Sequence, residues 1–453
     1  MSLLFRSTNG QSPAVDLRAA FLQGLARDRG LYLPEKFPTL TAEEIASFAQ
    51  LAYHEIAFCV LSKFTEGILP SEELATICRG AYNFEVPLEP VKGLDRVTVM
   101  RLDHGPTASF KDFAARLMSR LMGRFLREDG KRLTILTATS GDTGSAVAHA
   151  FHNVPGVRVI VLFPFAEVSA RQRKLMTVLG DNVRTVAIDG KFDDCQAMVK
   201  LAFADPALKS IPLSSANSIN IGRLLPQSVY YFYAASRLAK PGEPIVFSVP
   251  SGNFGDMMGS IVARQMGLPV KKVVASVNDN DAFPRFLANG TYEKVSPSRN
   301  SLSNAMNVGH PSNLARLVAI YGGQMDETGK INREPDLVAM RRDLYSSSIS
   351  DERTRVALKE AWTKHQLLLE PHGAVAWRGL NDWLEHEPLN GLPAVLLETA
   401  HPAKFPEQIE KTLGFSPEVP AAISAAEQLP EKYDQMPARY EIFRNFLIAQ
   451  HKL

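Results

Sequence analysis

The chain has 453 residues, of which 45% are hydrophobic and 22% charged, and its formal net charge is +2. This length predicts two or three domains, and the near-neutral charge, spread without a basic run, excludes a typical nucleic-acid-binding surface. Three cysteines without pairing spacing, a polar N-terminal segment and the lack of a long apolar stretch predict a cytoplasmic protein with no membrane or nucleic-acid partner.

The first ninety or so residues are predicted to be helical. Apolar residues recur every three or four positions in residues 14–26, 42–63 and 71–82. Prolines interrupt the pattern between and after these segments, where a helix cannot continue. We therefore predict a helical N-terminal domain over residues 1–92.

From residue 96 onwards, short apolar runs alternate with amphipathic segments of helical length. The predicted strands are residues 97–102, 133–138, 157–163, 183–188, 245–249, 273–277 and 394–397. Such alternation is typical of an α/β protein with mostly parallel sheets covered by helices on both faces. We predict a large cofactor-binding domain of residues 93–137 and 241–453, with a polar insertion at 300–352, and a small α/β domain of residues 138–240.

One lysine follows the first of these strands and the turn after it. The segment Leu-Asp-His-Gly-Pro-Thr-Ala-Ser-Phe-Lys-Asp, residues 102–112, places Lys111 near the start of a helix that follows a turn. A lysine amine does covalent chemistry when it is held in place and can lose its proton, and a desolvated strand end provides both. The alternative interpretation is a solvated helix lysine.

Two glycine-rich turns follow later strands. Backbone amides in Ser-Gly-Asn-Phe-Gly-Asp, residues 251–256, can point at one phosphate at the start of a helix. Hydroxyls and amides in Thr-Ser-Gly-Asp-Thr-Gly, residues 139–144, suit the α-carboxylate of an amino acid. Each turn can also be a packing turn or a helix cap. A placed amine together with a phosphate-binding turn predicts pyridoxal phosphate as the cofactor.

Two more polar segments lie near predicted strand ends. Residues 214–223, Ser-Ser-Ala-Asn-Ser-Ile-Asn-Ile-Gly-Arg, combine neutral donors with one guanidinium that can bind a second phosphate, although a polar loop with a helix cap is an equal alternative. Thr399 has a hydroxyl that can meet a pyridine nitrogen, or can simply cap a helix. The ten histidines and three cysteines show no ligand spacing, so we predict no metal site.

These segments, taken together and in chain order, closely resemble the threonine synthase family. The match also includes Gln-Gly-Leu at residues 23–25 and Gly-Leu at residues 30–31, so that it covers almost the whole chain and is similar to the long bacterial and fungal form. The resemblance implies a fold-type-II pyridoxal phosphate enzyme. Its implied activity is that of a carbon–oxygen lyase acting on phosphates, which converts O-phospho-L-homoserine and water to L-threonine and phosphate.

The resemblance also implies roles for individual residues. Lys111 would be the catalytic lysine that carries the cofactor as a Schiff base. The other implied cofactor contacts are Phe110, Asp142, Gly252, Asn253, Phe254, Gly255, Asp256 and Thr399. The implied substrate contacts are Ser140, Gly141 and Thr143 for the carboxylate, and Asn217, Ser218, Asn220 and Arg223 for the phosphate. We expect a monomer or a homodimer.

Three alternatives compete with this interpretation, two of them enzymes and one a non-catalytic protein. A phospho-lyase of the same family would release a 2-oxo acid from phosphohomoserine or phosphothreonine, and a serine or threonine dehydratase would need no substrate phosphate. A non-catalytic binding protein on the same fold is a third alternative, against which Lys111 and both glycine turns argue. Asn9 stands where many relatives have arginine, and this departure leaves the substrate preference open.

Overall fold

The computed structural model describes residues 3–452, and in it the strands of the central region form two separate, mostly parallel sheets. The central strands are built almost entirely of buried side chains, as in the run Ile-Val-Phe-Ser-Val-Pro at residues 245–250. Runs of this kind are expected where helices cover both faces of a parallel sheet. The predicted α/β architecture is confirmed.

The N-terminal region is mostly helical but contains a small sheet that the sequence did not predict. Its strands are β1 (Leu4–Ser7), β2 (Val15–Asp16) and β3 (Tyr32–Pro34), and its helices are α1 (Leu17–Gln23), α2 (Ala42–Ser47), α3 (Tyr53–Thr65) and α4 (Ser71–Ala81). The helix predicted from residue 14 begins only at residue 17, because the Asp16 carboxylate accepts the Ala19 amide and caps it there. The helix predicted over residues 42–63 is broken by a short 3₁₀ turn at Phe48–Gln50.

The middle of the chain alternates strand and helix. Its elements are β4 (Leu88–Pro90), β5 (Val97–Arg101), α5 (Lys111–Asp129), β6 (Leu133–Ala138), α6 (Asp142–Phe151), β7 (Val157–Pro164), α7 (Ala170–Thr177), β8 (Val183–Asp189), α8 (Phe192–Ala204), β9 (Leu213–Ser215), α9 (Ile221–Leu224) and α10 (Ser228–Leu238). α5 is long because its apolar residues keep helical spacing until Gly130, which takes a left-handed conformation at its C-cap.

The last part of the chain, from residue 245 onwards, adds strands first to one of the two central sheets and finally one strand to the other. Its elements are β10 (Ile245–Pro250), α11 (Gly255–Gln265), β11 (Val270–Ser276), α12 (Ala282–Asn289), α13 (Leu314–Ile320), β12 (Gln324–Met325), β13 (Ile331–Arg333), α14 (Leu337–Asp343), β14 (Leu344–Tyr345), α15 (Asp351–His365), α16 (Pro371–Leu384), β15 (Ala394–Glu398), α17 (Pro406–Leu413), α18 (Ala421–Glu427), β16 (Asp434–Pro437) and α19 (Tyr440–Lys452). Residues 290–313, which overlap the start of the insertion predicted at 300–352, have little regular structure apart from a 3₁₀ turn at Asn304–Met306.

The two sheets have different strand orders. The large sheet runs β14-β11-β10-β15-β5-β4, with only the edge strand β4 antiparallel to its neighbour. The small sheet runs β16-β8-β7-β6-β9 and is parallel throughout. Ligands bind beyond the carboxyl ends of strands in such sheets, so these ends are where a site is expected.

Sheet membership differs from the predicted division of the chain at two places. β6 was predicted to fall almost wholly in the large domain, but it pairs with β7 and β9 in the small sheet. β16, also predicted for the large domain, adds a parallel edge to β8. Both differences arise because a strand joins the sheet whose neighbours complete its hydrogen bonds, and this pairing is not visible in a local pattern. None of the helices within residues 3–452 has the combination of length and apolarity needed to cross a membrane.

Candidate active site

A cavity lies where the carboxyl ends of strands from both sheets meet. It encloses about 880 Å³ of space free of atoms, its open mouth included. Five strands end at it, and their following residues line it: Phe110 and Lys111 after β5, Ser140, Asp142 and Thr143 after β6, Asn217, Ser218 and Arg223 after β9, Gly252 to Asp256 after β10, and Thr399 after β15. The structure thus brings together most of the residues that the sequence singled out.

The segment before Lys111 is fixed by hydrogen bonds at both ends. The Asp112 carboxylate accepts the Thr107 amide at 2.8 Å and the Thr107 hydroxyl at 2.7 Å. The Phe110 amide donates to the Thr399 carbonyl at 2.9 Å, and this bond ties the segment to the end of β15. Lys111 is therefore held at the first residue of α5, where its backbone cannot shift without breaking buried bonds.

The surroundings of the Lys111 amine favour loss of its proton. Burial lowers the pKa of Lys111 to about 8, with Lys404 and Arg223 adding to this shift and Asp142 opposing it. The Lys111 Nζ lies 3.8 Å from Asp142 Oδ2 and 4.6 Å from the centre of the Phe110 ring. A lysine with such a pKa has a substantial neutral fraction near pH 7.5, as a nucleophilic amine requires.

The turn after β10 presents a row of free amides. Within residues 3–452 no acceptor is present for the backbone N–H groups of residues 252–257, at the start of α11. Phe254 takes a left-handed backbone conformation with φ of +62°, which curves the turn, and its ring packs against Phe283. Such a cradle at a helix N-terminus binds a phosphate monoester.

The same turn is fixed by Ser218, which follows β9, and by residues of the irregular segment 290–313. Asn253 Nδ2 donates to the Ser218 hydroxyl at 2.7 Å, and Asn253 Oδ1 accepts the Ser312 amide at 2.6 Å. A Cβ on Gly252 would lie only 2.8 Å from Met306 Cα, so glycine is needed there for close backbone approach. The side chain of Asn253 is therefore occupied in holding the turn, and what it can offer a ligand is its backbone amide.

The turn after β6 has a second set of free donors. Thr139 Oγ1 accepts the amides of Gly141 and Gly144, which closes the turn on itself. The amides of Ser140, Asp142 and Thr143 have no acceptor in the described part of the chain and point from the start of α6. Gly141 has a φ of +131°, and a Cβ there would strike Gln172 at 2.7 Å. This turn can accept a carboxylate, although Gly141 itself does not line the cavity.

The polar segment after β9 divides into cavity-lining and structural residues. Arg223 is buried, its Nη1 donates to the Ala216 carbonyl at 2.8 Å, and its Nε has no partner among the described residues. Burial lowers the pKa of Arg223 to about 10, so the guanidinium is charged at neutral pH. Asn217 Nδ2 donates to the Ala138 carbonyl, which joins the ends of β9 and β6.

Asn220 was predicted to contact substrate, and the structure places it elsewhere. It is fully buried, does not line the cavity, and donates to the carbonyls of Phe21 and Ser215 while accepting the Gly222 amide. All hydrogen-bonding atoms of this side chain are thus used to cap α9 and fasten it to the N-terminal region.

Thr399 and Asp256 line the cavity from the large sheet. Thr399 follows β15 and is nearly buried. Burial raises the pKa of Asp256 to about 6, against the hydrogen bonds from Tyr230 and Tyr231 hydroxyls at 2.5 and 2.8 Å. Asp256 is therefore held by the two tyrosines, whereas Thr399 keeps a hydroxyl at the cavity wall.

Several cavity residues escaped the sequence prediction. Met306 and Ala305 come from the irregular segment. His372 is the second residue of α16, and its Nε2 accepts the Ala305 amide at 3.1 Å. Phe192 and Gln196 reach the cavity from α8. Phe192 begins a helix after β8, a position that marks a strand end and could have drawn attention, whereas Met306 has no such signal.

Asn9, which departs from the pattern of relatives, is not at the cavity. Its Nδ2 donates to the Asp28 carbonyl at 2.9 Å and its own carbonyl accepts Gln324 Nε2 at 2.8 Å. The departure therefore concerns a contact between the N-terminal region and residues near β12.

The sequence and the fold match known proteins over almost the whole chain. A family profile described as pyridoxal-phosphate dependent enzyme matches residues 83–399, and profiles described as threonine synthase N terminus and threonine synthase, C-terminal match residues 4–82 and 373–447. Threonine synthases from Haemophilus influenzae and Escherichia coli are 42% and 38% identical, over 96% of this chain and 97% and 96% of theirs. The crystal structure of pyridoxal-phosphate-bound threonine synthase from Brucella melitensis has a TM-score of 0.90 at 35% identity, covering 98% of both chains.

Proposed function

The chain belongs to the threonine synthase family, and we propose that it converts O-phospho-L-homoserine and water to L-threonine and phosphate, with Lys111 as the lysine that carries the cofactor. The fold-type-II architecture, the dependence on pyridoxal phosphate and the lyase class predicted from the motifs are confirmed by these relatives.

The observation that carries the proposal is the pairing of a deprotonatable amine with a free amide cradle in one cavity. The amides of residues 252–257 match a phosphate monoester, and the nearby hydroxyl of Thr399 matches a neutral partner for a pyridine nitrogen. Lys111, with a pKa lowered to about 8, matches a residue that must react with an aldehyde. The residues present therefore fit pyridoxal phosphate.

The cofactor, when bound, supplies an aldehyde that reacts with amines and a ring that takes up electrons from a neighbouring carbon. The chain supplies positioning and proton transfer around it. The free amides of Ser140, Asp142 and Thr143 bind the substrate carboxylate at the positive end of α6. The neutral Nζ of Lys111, when it is not bonded to the cofactor, would take the α-proton of the substrate.

The second anionic group of the substrate is assigned to the segment after β9. Arg223 offers a buried guanidinium whose Nε has no partner among the described residues, and Asn217 and Ser218 line the same wall. A guanidinium suits a phosphate dianion because its fork matches two oxygens. Holding the γ-phosphate there orients the carbon–oxygen bond that breaks, before water adds at the β-carbon.

The product pattern tests this proposal directly. The protein with pyridoxal phosphate and O-phospho-L-homoserine is expected to release phosphate and threonine in equal amounts, measured together with 2-oxobutyrate. Phosphate accompanied by 2-oxobutyrate instead would assign a phospho-lyase. Turnover of unphosphorylated serine or threonine at a comparable rate would assign a dehydratase.

Substitution of Gly252 tests the phosphate cradle. In Gly252→Ala the added methyl meets Met306 Cα at 2.8 Å and the Ala305 carbonyl oxygen at 3.0 Å, so the turn or its cover must shift. We expect the Kd for pyridoxal phosphate to rise at least about tenfold, measured by absorbance titration of the cofactor-free protein.

Gly242→Ala is the matched control for this substitution. Gly242 lies in the turn before β10, at the opposite end of that strand from Gly252; a Cβ there meets nothing within 4 Å, although alanine at its φ of +77° costs some stability. Its cofactor Kd is expected to stay within about twofold of the unsubstituted protein. Equal cofactor affinity in Gly252→Ala and Gly242→Ala would remove the assignment of the cradle.

A further inference from the structure

A second lysine, Lys404, is buried next to the same carboxylate, Asp142, that lies near Lys111. Lys404, in the 3₁₀ turn after β15, is fully buried and does not line the cavity. Its Nζ lies 2.6 Å from Asp142 Oδ1 and donates to the Thr107 carbonyl at 2.9 Å. Burying an ammonium group is costly unless it is paired with an opposite charge and hydrogen-bonded. The Asp142 carboxylate is therefore the group that stabilises the buried Lys404 ammonium.

Asp142 lies between the two lysines but is not shared equally. Its Oδ1 accepts Lys404 at 2.6 Å and Gln172 Nε2 at 3.1 Å, whereas its Oδ2 is 3.8 Å from Lys111 Nζ. Burial opposes ionisation of Asp142, but Lys404 and Lys111 hold the pKa of its carboxyl well below the usual range. The carboxylate and Lys404 form a neutral pair, so a proton on Lys111 would add one uncompensated charge to a buried site.

The other charged groups around this trio are already committed. Glu370 accepts the His372 Nδ1 at 2.5 Å and the amides of residues 372 and 373, and Asp256 is held by Tyr230 and Tyr231. Asp112 is bonded to Thr107, and Arg223 faces the cavity. Lys404 and Lys111 are thus the cations within 4 Å of Asp142 in the described chain.

We propose that Lys404 is a positioning residue for the amine chemistry: by neutralising and holding Asp142, it prevents the carboxylate from retaining a proton on Lys111. The proposal rests on the function assigned to Lys111 above. Without Lys404, Asp142 would pair with the Lys111 ammonium and turn the nucleophile into the inert partner of a salt bridge. The sequence offers no hint of this role, because Asp142 follows a strand of the small sheet and Lys404 follows a strand of the large sheet.

The test measures the titration of Lys111 in the full-length, cofactor-free protein. Trace acetic anhydride is applied between pH 6 and pH 11, and acetylation of Lys111 is quantified by peptide mass spectrometry. In Lys404→Met the Lys111 pKa is expected to rise by at least about one unit, so that its reactivity at pH 7.5 falls about tenfold. In Asp142→Asn, where Lys404 remains without its counter-ion, the Lys111 pKa is expected to fall instead.

Two further variants make the result specific to charge. Asp142→Asn/Lys404→Met removes both charges and is expected to return the Lys111 pKa towards that of the unsubstituted protein. Lys272→Met removes another buried ammonium, which contacts the carbonyls of Arg341 and Arg342 on the far end of the large sheet, and should leave Lys111 unchanged.

A Lys111 titration in Lys404→Met that coincides with that of the unsubstituted protein would overturn the proposal. So would a shift of the same size in Lys272→Met. If Lys404→Met does not fold, as judged by circular dichroism, the comparison of Asp142→Asn with the double variant decides, since the proposal requires the higher Lys111 pKa in the double variant. Because no substrate is used, this outcome is independent of which product the enzyme makes.

Discussion

Replacing Lys111 by alanine is expected to lower kcat/KM for O-phospho-L-homoserine by at least about 10⁴-fold, because one side chain supplies both the covalent link to the cofactor and the proton transfer. Lys111 is the amine at the cavity with a pKa lowered to about 8. The measurement is phosphate and threonine release with saturating cofactor, together with borohydride reduction and mapping of the labelled lysine. In the unsubstituted protein the label is expected on Lys111.

Lys404 makes this mapping informative, since it is a second lysine close to the same carboxylate. Its ammonium is fully buried and bonded to Asp142 and the Thr107 carbonyl, so it is expected to remain unlabelled in Lys111→Ala. Exposed Lys36 provides the control, and Lys36→Ala should keep full activity. Transfer of the label to Lys404 with turnover retained would show that the assignment of Lys111 is wrong.

The site residues that the sequence predicted lie within short segments that follow a strand. Gly252 comes shortly after β10, and Lys111 comes after β5 and the turn that follows it; the carboxyl end of a parallel strand is a place where ligands bind. Glycine was informative at position 252 because Met306 lies too close for a side chain, although the identity of that neighbour was not predictable. Local pattern therefore identified the donors but not what supports them.

The parts that were missed depend on pairing between distant segments. The resemblance implied Asp142 only as a cofactor contact and gave Lys404 no role, and only the meeting of the β6 and β15 ends makes them an ion pair. Asn220 was predicted as a ligand because amides and hydroxyls cluster around it, yet tertiary contacts with Phe21 use its side chain for structure. A polar residue type tells which bonds a side chain can make, and the fold decides with which partner it makes them.

In the sheets, too, features that depend on a local pattern were predicted, and features that depend on pairing between distant segments were missed. The interiors of both were predicted because central strands are continuous apolar runs, but the edge strand β16 reads Asp-Gln-Met-Pro and carries no such pattern. It joins the small sheet through parallel bonds to β8, after a long return of the chain. The three short strands of the N-terminal region were missed for the same reason, since two to four residues are too few to show alternation.

Replacing Arg223 by methionine is expected to lower kcat/KM for O-phospho-L-homoserine by about 10²- to 10³-fold, while the Kd for pyridoxal phosphate changes by less than about twofold. Methionine keeps much of the buried volume but removes the charge and the free Nε. The loss is expected mainly in KM, because the guanidinium would bind the phosphate before it leaves. Inhibition by product phosphate should weaken in parallel.

Exposed Arg439, replaced by methionine, is the matched control and should leave kcat/KM unchanged.

The Arg223 result is decisive because the effect on kcat/KM for the substrate is measured separately from the effect on the Kd of the cofactor. The proposed cofactor cradle consists of the amides of residues 252–257, which follow β10 of the large sheet. Arg223 lies on α9, which follows β9 of the small sheet, so the two anions are proposed to bind to different elements. A parallel loss of cofactor affinity in Arg223→Met would mean that Arg223 supports the cradle, and the substrate phosphate would then have to be assigned elsewhere.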